Sequence, residues 1–160
     1  MTDTIKMAAT AAFCVLFSSA SAMAQDVLLR ITGDVEGGPY EFTDADLQAF
    51  TQNSFSTETI WTDGSNVYSG PTLAGILEAV GAGDGDIRLG ALNDYFVDVS
   101  RDAIEQDVPI VANRIDGEPF GVRAKGPLWV VFPYDSNMAY RAEDIYAYSV
   151  WQLTSIEVLD

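Results

Sequence analysis

Three of the chain's eight basic residues, Arg114, Arg123 and Lys125, fall within one short stretch. Against 24 acidic residues and a formal net charge of −16, this is where an anion would find positive charge concentrated. Guanidinium and ammonium groups hold a carboxylate or phosphate through charge-assisted hydrogen bonds. Trp129 and Tyr134 follow closely and offer aromatic faces on which a planar ring stacks. A plainer reading stands beside this one. The cations pair with Asp116 and Glu118 across a turn, and Trp129, alternating within its strand, packs in the core.

What the chain lacks narrows the chemistry further. It has no His, and Cys14 is its single Cys. Residues 1–24 read as a secretory signal peptide: Lys6 in a weak n-region, an apolar Met7–Phe17, then small residues ending in an Ala-x-Ala site at Ala22–Ala24. Cleavage near Ala24 removes Cys14 and delivers residues 25–160 to the periplasm or the exterior. That apolar run is too short to span a bilayer, so no stable membrane insertion is expected after cleavage. A domain without Cys or His builds no disulfide, no thiolate nucleophile, no imidazole base and no Cys or His metal site. Carboxylates, hydroxyls, tyrosines and a few cations remain. The acidic balance also excludes a nucleic-acid partner.

The elements that must position the cations follow from local patterning. Val27–Thr32 reads as a first strand, and Thr43 as the N-cap of a short helix with Asp44 and Asp46 in its first turn. Ser54–Trp61 is expected as a strand, turned by Asp63-Gly64 into a second at Asn66–Tyr68. Pro71 opens the clearest helix, with Leu73, Ile76, Leu77 and Val80 on one face and Gly81 and Gly83 at its end. Strands are expected at Ile87–Leu92, Tyr95–Ser100 and Pro109–Arg114, the last leading to an Asp116-Gly117 turn.

Arg123-Ala-Lys-Gly-Pro127 then feeds the apolar run Leu128–Phe132, read as a central strand buried on both faces. Gly126 allows the backbone to approach something closely there. A helical patch near Ala142–Tyr146 and a strand near Ser155–Leu159 close the chain. Many short strands with two or three short helices predict a single α+β domain over residues 25–160. The Gly83–Asp86 loop lacks the spaced ligands of a calcium loop and reads as solvated. Tyr140, Tyr146, Tyr148 and Trp151, beside Arg141, form an aromatic cluster suited either to a partner surface or to covering the sheet.

Several of these pieces, in order over roughly residues 55–135, resemble the oxidoreductase molybdopterin-binding domain family, the sulfite oxidase fold. Tyr68-Ser-Gly-Pro-Thr-Leu73 resembles that family's Trp-x-Gly-x-x-Leu helix start, and Asn93-Asp-Tyr95 its Asp-Gly-Tyr strand. Ala112–Pro119 resembles its Asn-Gly-x-Pro hairpin, and Gly126–Pro133 its Gly-x-Pro-x-Arg-x-x-x-Pro strand. Ser149–Leu153 looks like the closing segment of short secreted members. The resemblance implies a mixed α+β fold around a twisted sheet, and a pterin cofactor in the enzymes. Those enzymes bind molybdenum through a Cys on the strand before the helix, whereas Ser56-Thr-Glu-Thr-Ile60 has none. Their pterin-holding His residues are also missing, and Trp129 stands where a cation is frequent.

The expectation is an exported, non-catalytic member of this fold. It would bind a small anion or a periplasmic protein partner through Arg114, Arg123, Lys125, Trp129 and Tyr134, with no cofactor, no metal and no catalytic residue. The alternative is a molybdopterin-dependent oxidoreductase with atypical metal ligation. A carboxylate-driven hydrolase, with Asp94 and Asp98 as acid and base, is a third reading.

Overall fold

A computed structural model describes residues 26–160, so the expected signal peptide at 1–24 lies outside the described residues. The main sheet has five strands in the order β2-β1-β10-β5-β6. These are β1 (Val27–Gly33), β2 (Tyr40–Thr43), β5 (Ile87–Ala91), β6 (Phe96–Val99) and β10 (Leu153–Val158). β1 and β10 run parallel, and the other pairs are antiparallel. Alternation along the strands separates the faces. Leu29, Ile31, Ile87, Leu89 and Ile156 point into the core. The other face carries Arg30 paired with Glu41, and Arg88 paired with Asp98 and Glu157.

A second sheet has three strands in the order β3-β4-β8: β3 (Gln52–Glu58), β4 (Ser65–Pro71) and β8 (Arg114–Ile115). A two-stranded ribbon joins β7 (Ile110–Ala112) to β9 (Trp129–Val131). β4 lies tightly on β7: a Cβ on Gly70 would fall 2.0 Å from the Val111 carbonyl oxygen, so only glycine fits.

Helix α1 (Asp44–Ala49) begins as expected. The Thr43 hydroxyl accepts from Asp46 N, and the Asp46 carboxylate accepts from Thr43 N at 2.8 Å, closing a capping box. Helix α2 (Leu73–Ala79) buries Leu73, Ile76 and Leu77 completely, each worth about 1.5–3 kcal/mol of hydrophobic stabilisation. Helix α3 (Glu143–Tyr148) precedes β10.

Four expectations are corrected. Pro71 ends β4 instead of opening α2, because the Thr72 hydroxyl takes the capping role by accepting from Gly75 N at 3.0 Å. The strand expected to run to Trp61 stops at Glu58, and residues 59–64 form a loop. Leu128–Phe132 is fully buried, yet its strand is three residues long, with β7 on one side and only a single bridge, Trp129 to Trp151, on the other. Its neighbour, the expected Pro109–Arg114 strand, is divided at Asn113, whose N–H leaves the ribbon to donate to Ser69 O at 3.0 Å. The Asp116-Gly117 turn forms as expected, with φ of 50° and 83° as a two-residue hairpin turn of the primed type requires.

Candidate functional site

The cations are carried by a tight turn. Residues Val122–Ala124 make one turn of 3-10 helix, and Lys125 follows in the left-handed region at φ 71°. Two long-range bonds hold this conformation: Gln152 N donates to Lys125 O, and Gln152 Nε2 donates to Val122 O, both at 2.9 Å. Gly126 makes the close approach its sequence suggests, since a Cβ there would fall 1.9 Å from the Phe120 carbonyl oxygen. The turn therefore presents Arg123 and Lys125 from a fixed frame.

Lys125 Nζ lies 4.9 Å from the centre of the Trp151 ring and 5.9 Å from that of Trp129, within cation–π reach of both. Arg123 is exposed. Among the described residues neither cation forms an ion pair with a carboxylate. Together they line a pocket of about 350 Å³ whose other walls include Trp61, Asp63, Tyr68 and Trp129.

Arg114, expected in the same clamp, is withdrawn from it. Its guanidinium forms a two-point pair with Asp44, at 2.8 and 2.7 Å, and donates to Asn113 O at 2.7 Å. The hydrogen bond from Arg114 holds the Asp44 carboxyl below the usual carboxylate range. The plainer reading was right that Arg114 is paired and wrong about the partner. Asp116 instead accepts from Val67 N at 2.9 Å.

Trp129 is buried, as the packing reading has it. Its indole N–H donates to Ser149 O at 3.1 Å, and its ring stands edge-on to Tyr68 at 5.5 Å. Tyr134 is also a core residue, its hydroxyl donating to Ser149 Oγ at 2.6 Å. Burial pushes that phenol's pKa well above the usual tyrosine value. Arg141 pairs with Asp135 and donates to Tyr134 O, so the C-terminal cation is also committed to the fold.

Two residues at this site escaped sequence reasoning. Trp61, brought in by the 59–64 loop, packs edge-on against Trp129, Tyr134, Tyr146 and Trp151 at 5.6–6.2 Å. It also walls a second pocket of about 260 Å³ together with Tyr95, Tyr146 and Trp151. Tyr68 is fully buried, and its hydroxyl has no hydrogen-bond partner. The same is true of both side-chain polar atoms of Asn113. An aromatic residue in a loop signals nothing about its neighbours, and an orphaned hydroxyl leaves no trace in a sequence.

The strand corresponding to the enzymes' metal-binding strand carries only hard oxygen donors. Buried Thr57 bonds to Asp135, accepting from its backbone N–H at 3.2 Å, and buried Thr59 shares a 2.8 Å bond with Thr62. Hydroxyls already engaged in this way do not replace the soft thiolate that molybdenum favours. With Trp129 packed in place of a cation, the residues present do not fit a thiolate-ligated molybdopterin centre. Among the described residues no cluster of three Asp, Glu, His or Cys side chains is disposed to hold a metal. Asp98, one half of the suggested hydrolase pair, is bound by Arg88 at 2.7 and 3.0 Å on the exposed sheet face.

No family model matches the chain, and no curated protein does. Among solved structures it is similar to the crystal structure of the sulfane dehydrogenase SoxCD from Paracoccus pantotrophus, with a TM-score of 0.63 and 18% sequence identity. The match covers 85% of this chain and 39% of that one, so the chain spans about two fifths of its neighbour's length. The likeness shows the fold: a single α+β domain of the type implied by the sequence resemblance. Among the described residues no helix is long and apolar enough to cross a membrane.

Proposed function

We propose that this chain is an exported, non-catalytic member of the sulfite-oxidase-type fold that binds a small anion at Arg123 and Lys125. One observation carries the reading. In a chain of net charge −16, two cations without carboxylate partners line one pocket on a turn held by Gln152. Among the described residues, Arg30, Arg88, Arg114 and Arg141 are each already paired with a carboxylate. The guanidinium fork of Arg123 suits an anion with two coplanar oxygens, and Lys125 adds a point charge over the indoles.

The chemistry of the donors supports binding over turnover, because residues 25–160 offer no thiolate and no imidazole. The test is the double variant Arg123→Ala/Lys125→Ala, titrated calorimetrically with acetate, benzoate and inorganic phosphate. Each charge-assisted bond is worth about 1.5–3 kcal/mol, so the affinity of the best of these anions should fall by about a hundredfold or more at unchanged melting temperature. Unchanged affinity in the double variant would sink the proposal.

A second reading is kept alive by the SoxCD likeness: a molybdopterin oxidoreductase whose metal takes no protein thiolate. It requires near-stoichiometric molybdenum and pterin in protein purified from its native host. Elemental analysis finding neither molybdenum nor tungsten would end it.

A further inference from the structure

We infer that the second pocket, walled by Trp61, Tyr95, Tyr146 and Trp151, is a binding site for a quaternary ammonium group. The inference is independent of the anion site, because Arg123 and Lys125 line the neighbouring pocket and not this one. The four aromatic side chains come from separate segments: the 59–64 loop, the turn before β6, helix α3 and the residues before β10. All four reach the surface. Trp61, Tyr146 and Trp151 are half-buried, and Tyr95 is 45% exposed.

The rings are set as walls. Trp61 stands at 87° to Tyr146 and at 68° to Trp151, with ring centres 5.7 and 5.6 Å apart. Steeply angled rings around one space surround an occupant, as a face-to-face stack does not. Aromatic rings attract cations through their quadrupoles, and cages of this kind are how proteins hold quaternary ammonium ligands. Lys125, in the neighbouring pocket, already places its Nζ 4.9 Å from the Trp151 ring centre, so this indole takes a cation within the fold itself. At about 260 Å³ the cage is a little smaller than the usual small-molecule site, roughly 300–1,000 Å³, and suits a compact head group.

The floor selects among cations. Ala91, Ser149 and Val150 are buried there, and their polar groups are already engaged. The Ser149 hydroxyl accepts from Tyr134 at 2.6 Å and donates to Ile145 O at 2.7 Å, while its carbonyl accepts from Trp129. The N–H groups of Ala91 and Val150 donate to Tyr95 O and Tyr148 O. A primary ammonium would lose water on this floor without gaining acceptors, whereas a trimethylammonium has no N–H to satisfy. Charge at the lip agrees. Exposed Asp94 sits between the lining residues Asn93 and Tyr95, and exposed Asp144 lies one helical turn before Ala147, another lining residue. Neither carboxylate forms an ion pair among the described residues, and the net charge of −16 draws cations toward the chain.

Titration calorimetry of the purified chain with choline and with 3,3-dimethylbutan-1-ol, at one ionic strength, tests the assignment. The alcohol has the shape of choline with carbon in place of the charged nitrogen, so it separates charge recognition from apolar fit. Wild type should bind choline about tenfold more tightly than the alcohol. Tyr95→Leu keeps an apolar side chain at the lip but removes a ring, and should weaken choline about threefold or more at unchanged melting temperature. Tyr95→Phe, which keeps the ring, should bind as wild type does. Tyr146→Leu gives the same reading should Tyr95→Leu fail to fold. Arg123→Ala/Lys125→Ala should leave choline affinity unchanged or raise it.

Equal affinity for choline and the neutral alcohol would mark a merely apolar pocket and overturn the inference. So would failure of wild type to bind choline, full choline affinity in Tyr95→Leu, or a loss in Tyr95→Phe as large as in Tyr95→Leu. Loss of choline binding in Arg123→Ala/Lys125→Ala would place the ligand in the other pocket and overturn it equally.

Discussion

Arg114 and Asp44, 70 positions apart, meet in a two-point ion pair that joins β8 to the first turn of α1. The guanidinium is largely buried, with 19% of its side chain exposed, while Asp44 keeps 45%. The pair settles which of the clustered cations are left for a ligand. Arg114 satisfies a carboxylate that also favours the positive end of the α1 dipole, and only Arg123 and Lys125 remain in the pocket.

The pair sets part of the acid limb of stability. Hydrogen bonding to Arg114 lowers the folded-state pKa of Asp44 below the ordinary 3.8, so its contribution is complete above that value and is lost as pH falls through the lowered one. Asp135 and Asp98 shift in the same direction, the first chiefly through the Glu58 N–H and the second through Arg88. Urea midpoints should therefore be level above the ordinary aspartate range and fall below it. Because Asp44 is partly exposed, its coupling to Arg114 should be only about 0.5–1 kcal/mol in a double-mutant cycle of Asp44→Asn with Arg114→Met. Arg114→Met costing the same with and without Asp44→Asn would refute the coupling.

Trp129 contributes as a core residue. Trp129→Ala should cost about 3–5 kcal/mol in equilibrium urea unfolding. Trp129→Arg, which restores the cation frequent in the enzymes' strand, should cost more still, because it places a charge among Trp61, Tyr68 and the β7–β9 ribbon. A Trp129→Arg variant as stable as wild type would show that this position is not filled by packing.

Asn113 contributes through what it lacks. Its carboxamide is buried with both polar atoms unpartnered, so Asn113→Leu, close in shape, should be neutral or stabilising by about 1 kcal/mol. Chemical denaturation reads the difference directly. A loss of more than about 2 kcal/mol would mean that the amide is satisfied in solution.

Features specified by neighbours a few residues apart were legible in the sequence. The Thr43 cap, the apolar face of α2 and the positive-φ turn at Asp116-Gly117 all formed as read. Local pattern misled where a competing bond took over. Thr72 displaced Pro71 as the start of α2 through a local cap on Gly75, and a long-range bond took Asn113 out of its strand to Ser69. Of the five expected site residues, Arg123, Lys125 and Trp129 come together at one pocket, whereas Arg114 and Tyr134 are held elsewhere by Asp44 and Ser149.

Composition and short-range periodicity were enough to specify a small acidic α+β domain and to exclude imidazole chemistry, and residues 25–160 carry no thiolate, because residue types and local spacing are complete in the sequence. Which cations stay free, that Trp61 forms the wall between two pockets, and that the Tyr68 hydroxyl is left unpartnered were decided by folding. Each depends on contacts between residues far apart in the chain, and pairing, burial and orphaned donors exist only once those residues meet.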